Sequence, residues 1–580
     1  MVAVALPPIS PSVSGPHAVP PRPERVLTFR RLGLLLLSGL LGAVTFPLAF
    51  PVGPRRELFA SGVLEPLAFV CLVPLLLAIR KLSPWRAFAA GQLAGMVFFT
   101  GAFWWVNVAM VTFGGMPNWL SVPALELLVA WCAFHWAIAA GVVRLLDVGF
   151  GWPMGWTLAP VWMATELMRN YFCSGFPWAN LGYSQTRNLW FHQLASLGGV
   201  YGVAFAVAWV NGALFELWRW RRLRERRMPR VLLALAAGVL VLGHLYGALH
   251  VRAMDHTAAA APRIRAAVVQ ANIDQKLKMG RGSSRVATIL GRFLPPTAAA
   301  DAAGAELIVW PEGSYPLAYP TGVTRMNRSG LRESGYWAGV LVGVDVYDPK
   351  NLRKGNENAA FLLAPDLAIA HHYVKNHLVP FGEYVPWRLD EVLPIGNIVG
   401  ASFAPGTDLS PAVLRRPGQP PVKLGIEICF DAIFPEISRT YARSGAEVLV
   451  NMTNDAWYGF SSAPFQFLRM VSTRAVETGR PVARAANTGI SAFIDPVGRI
   501  REVTEVGIVP SDSPTLTAAE LTGPEWRIAE LPLLTLRTPY VVIGDVPAYL
   551  ASLFTGVSAL AAWAVRRRRR RVATPSSPGP

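Results

Sequence analysis

The sequence is poor in charge and in cysteine. Charged residues make up only 16% of its 580 residues, against about 25% in an average soluble domain, which argues against an all-soluble chain and against a disordered one. Four cysteines cannot build a disulfide framework, so a small stapled secreted fold is not in play. No glycine-rich phosphate loop of either standard type appears, no internal repeat stands out, and no Cys/His cluster has zinc spacing. What is abundant is apolar and basic: 52% hydrophobic residues, with 20 Trp and 28 Phe, and a formal net charge of +18. The length predicts at least two parts. A basic excess suggests nucleic acid or anionic lipid as a partner, or, in a chain this apolar, a topology signal.

From Arg31 to about His250 the apolar residues fall into runs at about 32–50, 59–79, 87–110, 119–142, 152–168, 195–217 and 231–250, and another lies at about 541–565. Most reach the roughly 20 residues that cross a bilayer, so about eight spans are expected. Arg22, Arg25, Arg30 and Arg31 precede the first run and place the N-terminus inside. Arg80, Lys81, Arg86, a loop with Arg144, the seven arginines from Arg219 to Arg230, and Arg566–Arg571 then fall inside too; only Arg55 and Arg56 dissent. The segments 219–230 and 566–571 hold twelve of the eighteen excess charges, which leaves too thin a remainder for nucleic-acid binding. The expected organisation is a disordered cytoplasmic leader (1–30), seven membrane helices (31–250), a folded domain on the outer side (263–530), an eighth helix (541–565) and a basic cytoplasmic tail (566–580). The first run is expected to anchor rather than to be cleaved, because no small-residue cleavage site precedes the next run.

Residues 263–530 have another texture. Runs rich in Val and Ile at Ile264–Val269, Leu307–Trp310, Val340–Val346, Val422–Ile428 and Val448–Asn451 alternate with polar stretches and with a helix-like Phe465–Glu477, which predicts an α/β layered domain. Cys429 follows one such strand and precedes a helix-like segment, a sharp turn that exposes a side chain and aims N–H groups at bound oxygen; a buried core Cys is the alternative. Its thiol needs a base. Glu312 lies just past a strand end, as a base or as a structural cap, and Lys375 is either a site residue or an exposed charge.

Taken together, W-P-E-G-S-Y-P around Glu312, K-N-H-L-V-P-F-G-E-Y-V-P from Lys375 and G-I-E-I-C-F-D around Cys429 resemble the nitrilase (carbon–nitrogen hydrolase) superfamily. N-D-A-W-Y-G at Asn454–Gly459 and R-A-V-E-T-G-R-P at Arg474–Pro481 also fit. T-F-G-G-M-P at Thr112–Pro117 and G-F-P-W-A-N-L-G-Y-S-Q at Gly175–Gln185 narrow the resemblance to the bacterial apolipoprotein N-acyltransferases, over roughly residues 30–565. The resemblance implies an αββα sandwich joined to a membrane helix bundle, and a phospholipid acyl donor with a diacylglyceryl-modified apolipoprotein as acceptor. No cofactor, no metal and no nucleic acid are expected, and the implied location is the bacterial inner membrane with the catalytic domain outside. It makes Cys429 the nucleophile and Glu312 the general base, with a pKa raised by desolvation and nearby acidic groups. Lys375 stabilises thiolate and oxyanion, the Phe430 N–H is a second oxyanion contact, and Glu383 supports Lys375. Phe430, Asp431, Met279 and Trp457 are the implied substrate contacts. Met279 stands where some relatives carry Trp, and Phe430-Asp431 where Tyr-Glu is familiar; both bear on acyl-chain fit. Glu166 and Arg169 are expected as a solvated pair at a span's outer end. Two rivals stand beside this reading: a membrane-tethered amidase with the same triad, and a transporter or scaffold whose outer domain binds a ligand.

Overall fold

The structure is a computed structural model describing residues 28–47, 64–224, 227–280, 282–326, 331, 338–351, 355–386, 402–459, 461–504 and 523–573. Residues 1–27 of the expected leader, Arg55, Arg56 and residues 574–580 lie outside these. Helices form where apolar runs are uninterrupted: Asn118–Phe150, Ala195–Trp218 with its continuation to Leu223, Arg230–Ala260 and Val546–Ala573. These four are long and apolar enough to cross a membrane, and a fifth results if Pro84–Phe103 and Trp105–Phe113, bent by 52°, count as one.

Among the described residues the eight apolar runs thus do not each give a helix long and apolar enough to cross, and the reasons are local. Pro66 and Pro74 each start a short element, Glu65–Phe69 and Val73–Ile79, because a proline cannot donate to the preceding turn. Phe29–Ala43 holds 15 residues. Met154–Tyr171 holds 18 but carries Glu166, Arg169 and Asn170. Arg144, expected in a loop, lies inside the helix Asn118–Phe150, donates to the Leu82 carbonyl at 2.6 Å and pairs with Asp147. Arg566–Arg571 continue the last helix rather than forming a separate tail, since arginine is a good helix former. Small residues let helices touch: Gly155 and Gly212 pack backbone to backbone, with no room for a Cβ on either.

The helix Arg230–Ala260 runs almost directly into β1 (Arg263–Gln270). The other strands are β2 (Leu307–Val309), β3 (Tyr319–Pro320), β4 (Gly339–Tyr347), β5 (Glu357–Leu363), β6 (Ile369–Val374), β7 (Ala412–Arg416), β8 (Gln419–Ile428), β9 (Val448–Thr453), β10 (Val482–Ala486), β11 (Ala492–Ile494), β12 (Ile500–Arg501) and β13 (Glu525–Pro532). One sheet has the order β13-β1-β2-β4-β5-β6 with β3 beside β4; the other runs β12-β11-β10-β9-β8-β7. Side chains alternate across each strand. Ile264, Ala266 and Val268 of β1 share a core with Leu424, Ile426 and Val450 of the second sheet. Ala267 and Val269 point the other way, to Ile289 and Phe293 of the helix Ser283–Ala302. The helices Pro435–Arg443 and Ala463–Thr478 pack on the second sheet, against β8 and β10. The domain is thus helix, sheet, sheet, helix, as the resemblance implies.

One face of Ala463–Thr478 is keyed to the membrane helices. Gln466, Arg469, Thr473 and Glu477, spaced along a single stripe, all bond across the boundary. Gln466 Nε2 donates to the carbonyls of Pro47 (3.1 Å) and Ala102 (3.2 Å), and its Oε1 accepts from the Trp178 indole at 2.8 Å. Arg469 pairs with Glu65 at 2.6 Å, Thr473 Oγ1 lies 3.0 Å from His192 Nε2, and Glu477 accepts from the Val200 N–H at 2.8 Å.

Candidate active site

Three strand ends converge on one buried cluster. Glu312 follows β2, Lys375 follows β6 and Cys429 follows β8. The turn after β8 is as sharp as the sequence predicts: Cys429 has φ 49°, a left-handed conformation unusual for a residue with a Cβ, and opens the single turn Cys429–Ile433. Asp431 pins that turn. Its carboxylate accepts from the Ile428 N–H (3.0 Å), the Tyr373 hydroxyl (2.7 Å) and the His377 N–H (2.8 Å). Asp431 is fully buried, and its carboxylate holds the β8 turn against the segment after Lys375.

Lys375, 1% exposed, is the hub. Its Nζ lies 3.1 Å from Glu312 Oε1 and 2.8 Å from Glu383 Oε1. Asn358 Nδ2, from β5, repeats the bridge, donating to the same two oxygens at 2.8 and 3.0 Å. Glu312 Oε2 accepts from the Asn454 N–H at 3.0 Å, and Glu383 Oε2 from the Val379 N–H at 2.8 Å. Both carboxylates are thus oriented through both oxygens. The Thr453 side chain hydrogen-bonds Cys429, and Coulombic coupling links Cys429 with Glu312, Lys375 and Glu383.

The electrostatics correct one expectation, the raised Glu312 carboxyl. Burial would raise the Glu312 carboxyl, but Lys375, helped by the Asn358 bond, outweighs it and holds the group below the usual glutamate range. Burial likewise opposes the Lys375 ammonium, yet Glu312 and Glu383 keep it protonated well above its ordinary range. Burial and the Glu312 charge push the Cys429 thiol up, outweighing Lys375. The resting pair is therefore a carboxylate and a thiol, because burial and the Glu312 charge oppose a thiolate more than Lys375 favours it.

Phe430 is buried against Phe176 (5.9 Å between centroids) and Phe434 (5.2 Å). Trp457 is 37% exposed and meets Phe113 edge-on at 5.6 Å, while its neighbour Tyr458 meets Trp105 at 4.9 Å. The membrane motifs at 112–117 and 175–185 thus reach the site, through Phe113 and Phe176. Met279 ends the short helix Gln275–Met279 near Glu312; its side chain lies outside the described residues. Glu166 and Arg169 are buried, not solvated. Arg169 Nη1 donates to the carbonyls of Phe176 (2.7 Å) and Trp178 (2.6 Å), and Glu166 accepts from the Leu181 N–H at 2.7 Å, so the pair shapes the 175–185 loop folded over them. Reading the sequence misses Asn358, Lys278 and Asp345. The only signal for Asn358 is a polar residue inside the apolar strand E-N-A-A-F-L-L. Among the described residues no group of three or more His, Cys, Asp or Glu is arranged to hold a metal ion.

Two facing sheets with Glu, Lys and Cys gathered at their strand ends define a carbon–nitrogen hydrolase domain, and residues 265–507 match the carbon–nitrogen hydrolase family. Residues 38–213 match the apolipoprotein N-acyltransferase N-terminal domain. The chain is 35% identical over 544 residues to the apolipoprotein N-acyltransferase of Geobacter metallireducens, covering 92% of this chain and 95% of that one. It is 33% identical over 520 residues to that of Methylococcus capsulatus, covering 88% and 93%. It belongs to the apolipoprotein N-acyltransferase family. Among solved structures it is similar to Saccharomyces cerevisiae Nit3 of the nitrilase superfamily, at 18% identity over 49% of this chain and 94% of that one, with a TM-score of 0.33.

Proposed function

We propose that this chain is a membrane acyltransferase that moves an acyl chain from a phospholipid, through a thioester on Cys429, to the α-amine of the N-terminal diacylglyceryl-cysteine of apolipoproteins. The observation that carries the chemistry is the bonded Glu312–Lys375–Glu383 cluster coupled to a thiol on a left-handed turn. Because Cys429 rests as a thiol, Glu312 takes its proton as sulfur attacks the ester carbonyl. The Lys375 ammonium and the Phe430 N–H face the developing oxyanion. Glu312 then protonates the departing glycerol oxygen, releasing the lysophospholipid. In the second half the amine attacks the thioester, Glu312 accepts the amine's proton and returns it to the Cys429 sulfur, and the amide leaves. Glu383 and Asn358 hold Lys375 and Glu312 throughout. Phe430, Trp457 and Met279 contact the acyl chains.

The membrane helices have a physical role in this scheme. Each acyl methylene moved into water costs about 0.8 kcal/mol, so donor and acceptor stay in the bilayer and the site comes to them. The Phe113 and Phe176 contacts at Trp457 and Phe430 support that arrangement. The arginine distribution supports a multi-pass chain of about eight membrane segments in the bacterial inner membrane, with residues 1–30 and 566–580 cytoplasmic and the domain 263–530 outside. Purified full chain given phospholipid and a diacylated lipopeptide tests the reading. Lysophospholipid and N-acylated peptide are expected in equal amounts; free fatty acid without acylated peptide would make the protein a tethered hydrolase instead.

A further inference from the structure

A second lysine meets Glu312 at its main chain, where Lys375 meets its carboxylate, and the acyl-transfer scheme leaves it without a task. Lys278 Nζ donates to the main-chain carbonyl of Glu312 at 3.2 Å. A Cβ placed on Gly313 would lie 3.6 Å from the same nitrogen, and Gly313 itself has φ 52°. The ammonium thus rests on the left-handed turn that sets the direction of the Glu312 side chain. Its own helix is fastened to the site. Gln275 Oε1 accepts from Asn454 Nδ2 at 2.8 Å, and Asn454 is the residue whose N–H holds Glu312 Oε2. Arg285 Nη1 donates to the Lys278 carbonyl at 2.8 Å, closing the back.

We propose that Lys278 is a positioning residue for Glu312, holding the peptide that aims the carboxylate and adding a second cation, beside Lys375, that favours its ionised form. Glu312, Glu383 and Asp345 bring three carboxylates to this region, and Lys375 is already divided between the first two. The groups that face Lys278 are Glu312, Asp345 on β4 and Arg285 on the helix Ser283–Ala302; the first two attract it and the third repels it. Burial pushes the Lys278 ammonium down to about 8 and the Asp345 carboxyl up to about 6. Both directions are those of charges withdrawn from water, where one cation weighs more on a neighbouring carboxylate than it would on the surface.

The inference rests on the reading of Glu312 as general base, and the test separates the two. The measurement is the single-turnover rate of thioester formation on Cys429 from phospholipid, followed across pH. Lys278→Met removes a cation that favours the ionised carboxylate, so the acid limb of the profile moves to higher pH and the rate below it falls on the order of tenfold. The phospholipid KM stays within about twofold, and Lys278→Arg restores the limb. Asp345→Asn removes an anion and moves the limb the opposite way, which keeps the test open if Lys278→Met does not fold. An acid limb unmoved in Lys278→Met and in Asp345→Asn overturns the proposal. Thioester formation at the wild-type rate in Glu312→Gln would instead overturn the general-base reading on which it rests.

Discussion

Replacing Gln466 with leucine tests whether the membrane helices and the catalytic domain act as one body. The substitution keeps the side-chain volume but removes an amide that is 3% exposed and joins three chain segments. The Trp178 indole, bonded at 2.8 Å, loses its acceptor, and the carbonyls of Pro47 and Ala102 lose a donor each. Each buried polar group left unpaired costs about 1–3 kcal/mol. With partial relaxation the sum is about 3 kcal/mol, equivalent to roughly a hundredfold in any equilibrium that depends on the docked arrangement. Ala102 sits two residues before the 52° bend at Trp104, and Trp178 meets Trp105 at a tilt, 4.9 Å between centroids, so the loss falls on the aromatic cluster beside that bend. The assay compares phospholipid turnover in bicelles with alkylation of Cys429 by a small maleimide. Turnover is expected to drop ten- to a hundredfold, whereas alkylation stays within about threefold, because Gln466 touches none of the charged groups. Undiminished phospholipid turnover in a folded Gln466→Leu protein would refute the reasoning.

Asn358→Leu deletes the bonds to Glu312 and Glu383; since hydrogen bonds to charged groups are worth about 1.5–3 kcal/mol, kcat/KM should fall ten- to a hundredfold. The Asn358 bond favours ionised Glu312, so its loss moves the acid limb of the pH–rate profile to higher pH, which a pH series on the acylation rate checks. Gly343→Ala puts a Cβ 2.7 Å from the Gly313 nitrogen and 3.0 Å from the Glu312 carbonyl carbon; overpacking of this kind costs about 1–3 kcal/mol. Denaturation together with turnover should show a less stable protein whose activity falls further than its stability, because the displaced peptide is the one that carries the base.

Much of the site is legible in the sequence because its signals are local. Glu312 and Cys429 each follow a short apolar strand within a few residues, whereas Lys375 is found by its motif, with Glu383 eight residues after it on a segment that returns to it. What is illegible depends on contacts made at long range. Asn358 reaches Glu312 only because β4 and β5 pair antiparallel, bringing together residues 46 apart. The sign of the Glu312 shift is decided by a lysine 63 residues away; burial alone, which a strand-end carboxylate suggests, gives the wrong direction. Glu166 and Arg169 read as a solvated pair until the 175–185 loop folds over them and offers Arg169 two carbonyls. Hydropathy finds the apolar runs but not how prolines divide them, so the run at about 59–79 reads as one span, and its described part folds as two short pieces, Glu65–Phe69 and Val73–Ile79. An α/β layered domain is legible from strand texture and its αββα arrangement from the family resemblance, whereas the fastening of Ala463–Thr478 to the membrane helices shows only once both partners are in place.

The central claim is that Cys429 carries the acyl group between two lipid substrates. Incubating the full chain with phospholipid and no acceptor, then mapping the protein by mass spectrometry, tests it most directly. The account predicts one acyl adduct on Cys429, labile to hydroxylamine as a thioester is, absent from Glu312→Gln and discharged on adding diacylated lipopeptide. Full acylation of the lipopeptide by Cys429→Ser, or an adduct on any other residue that turns over, would contradict it.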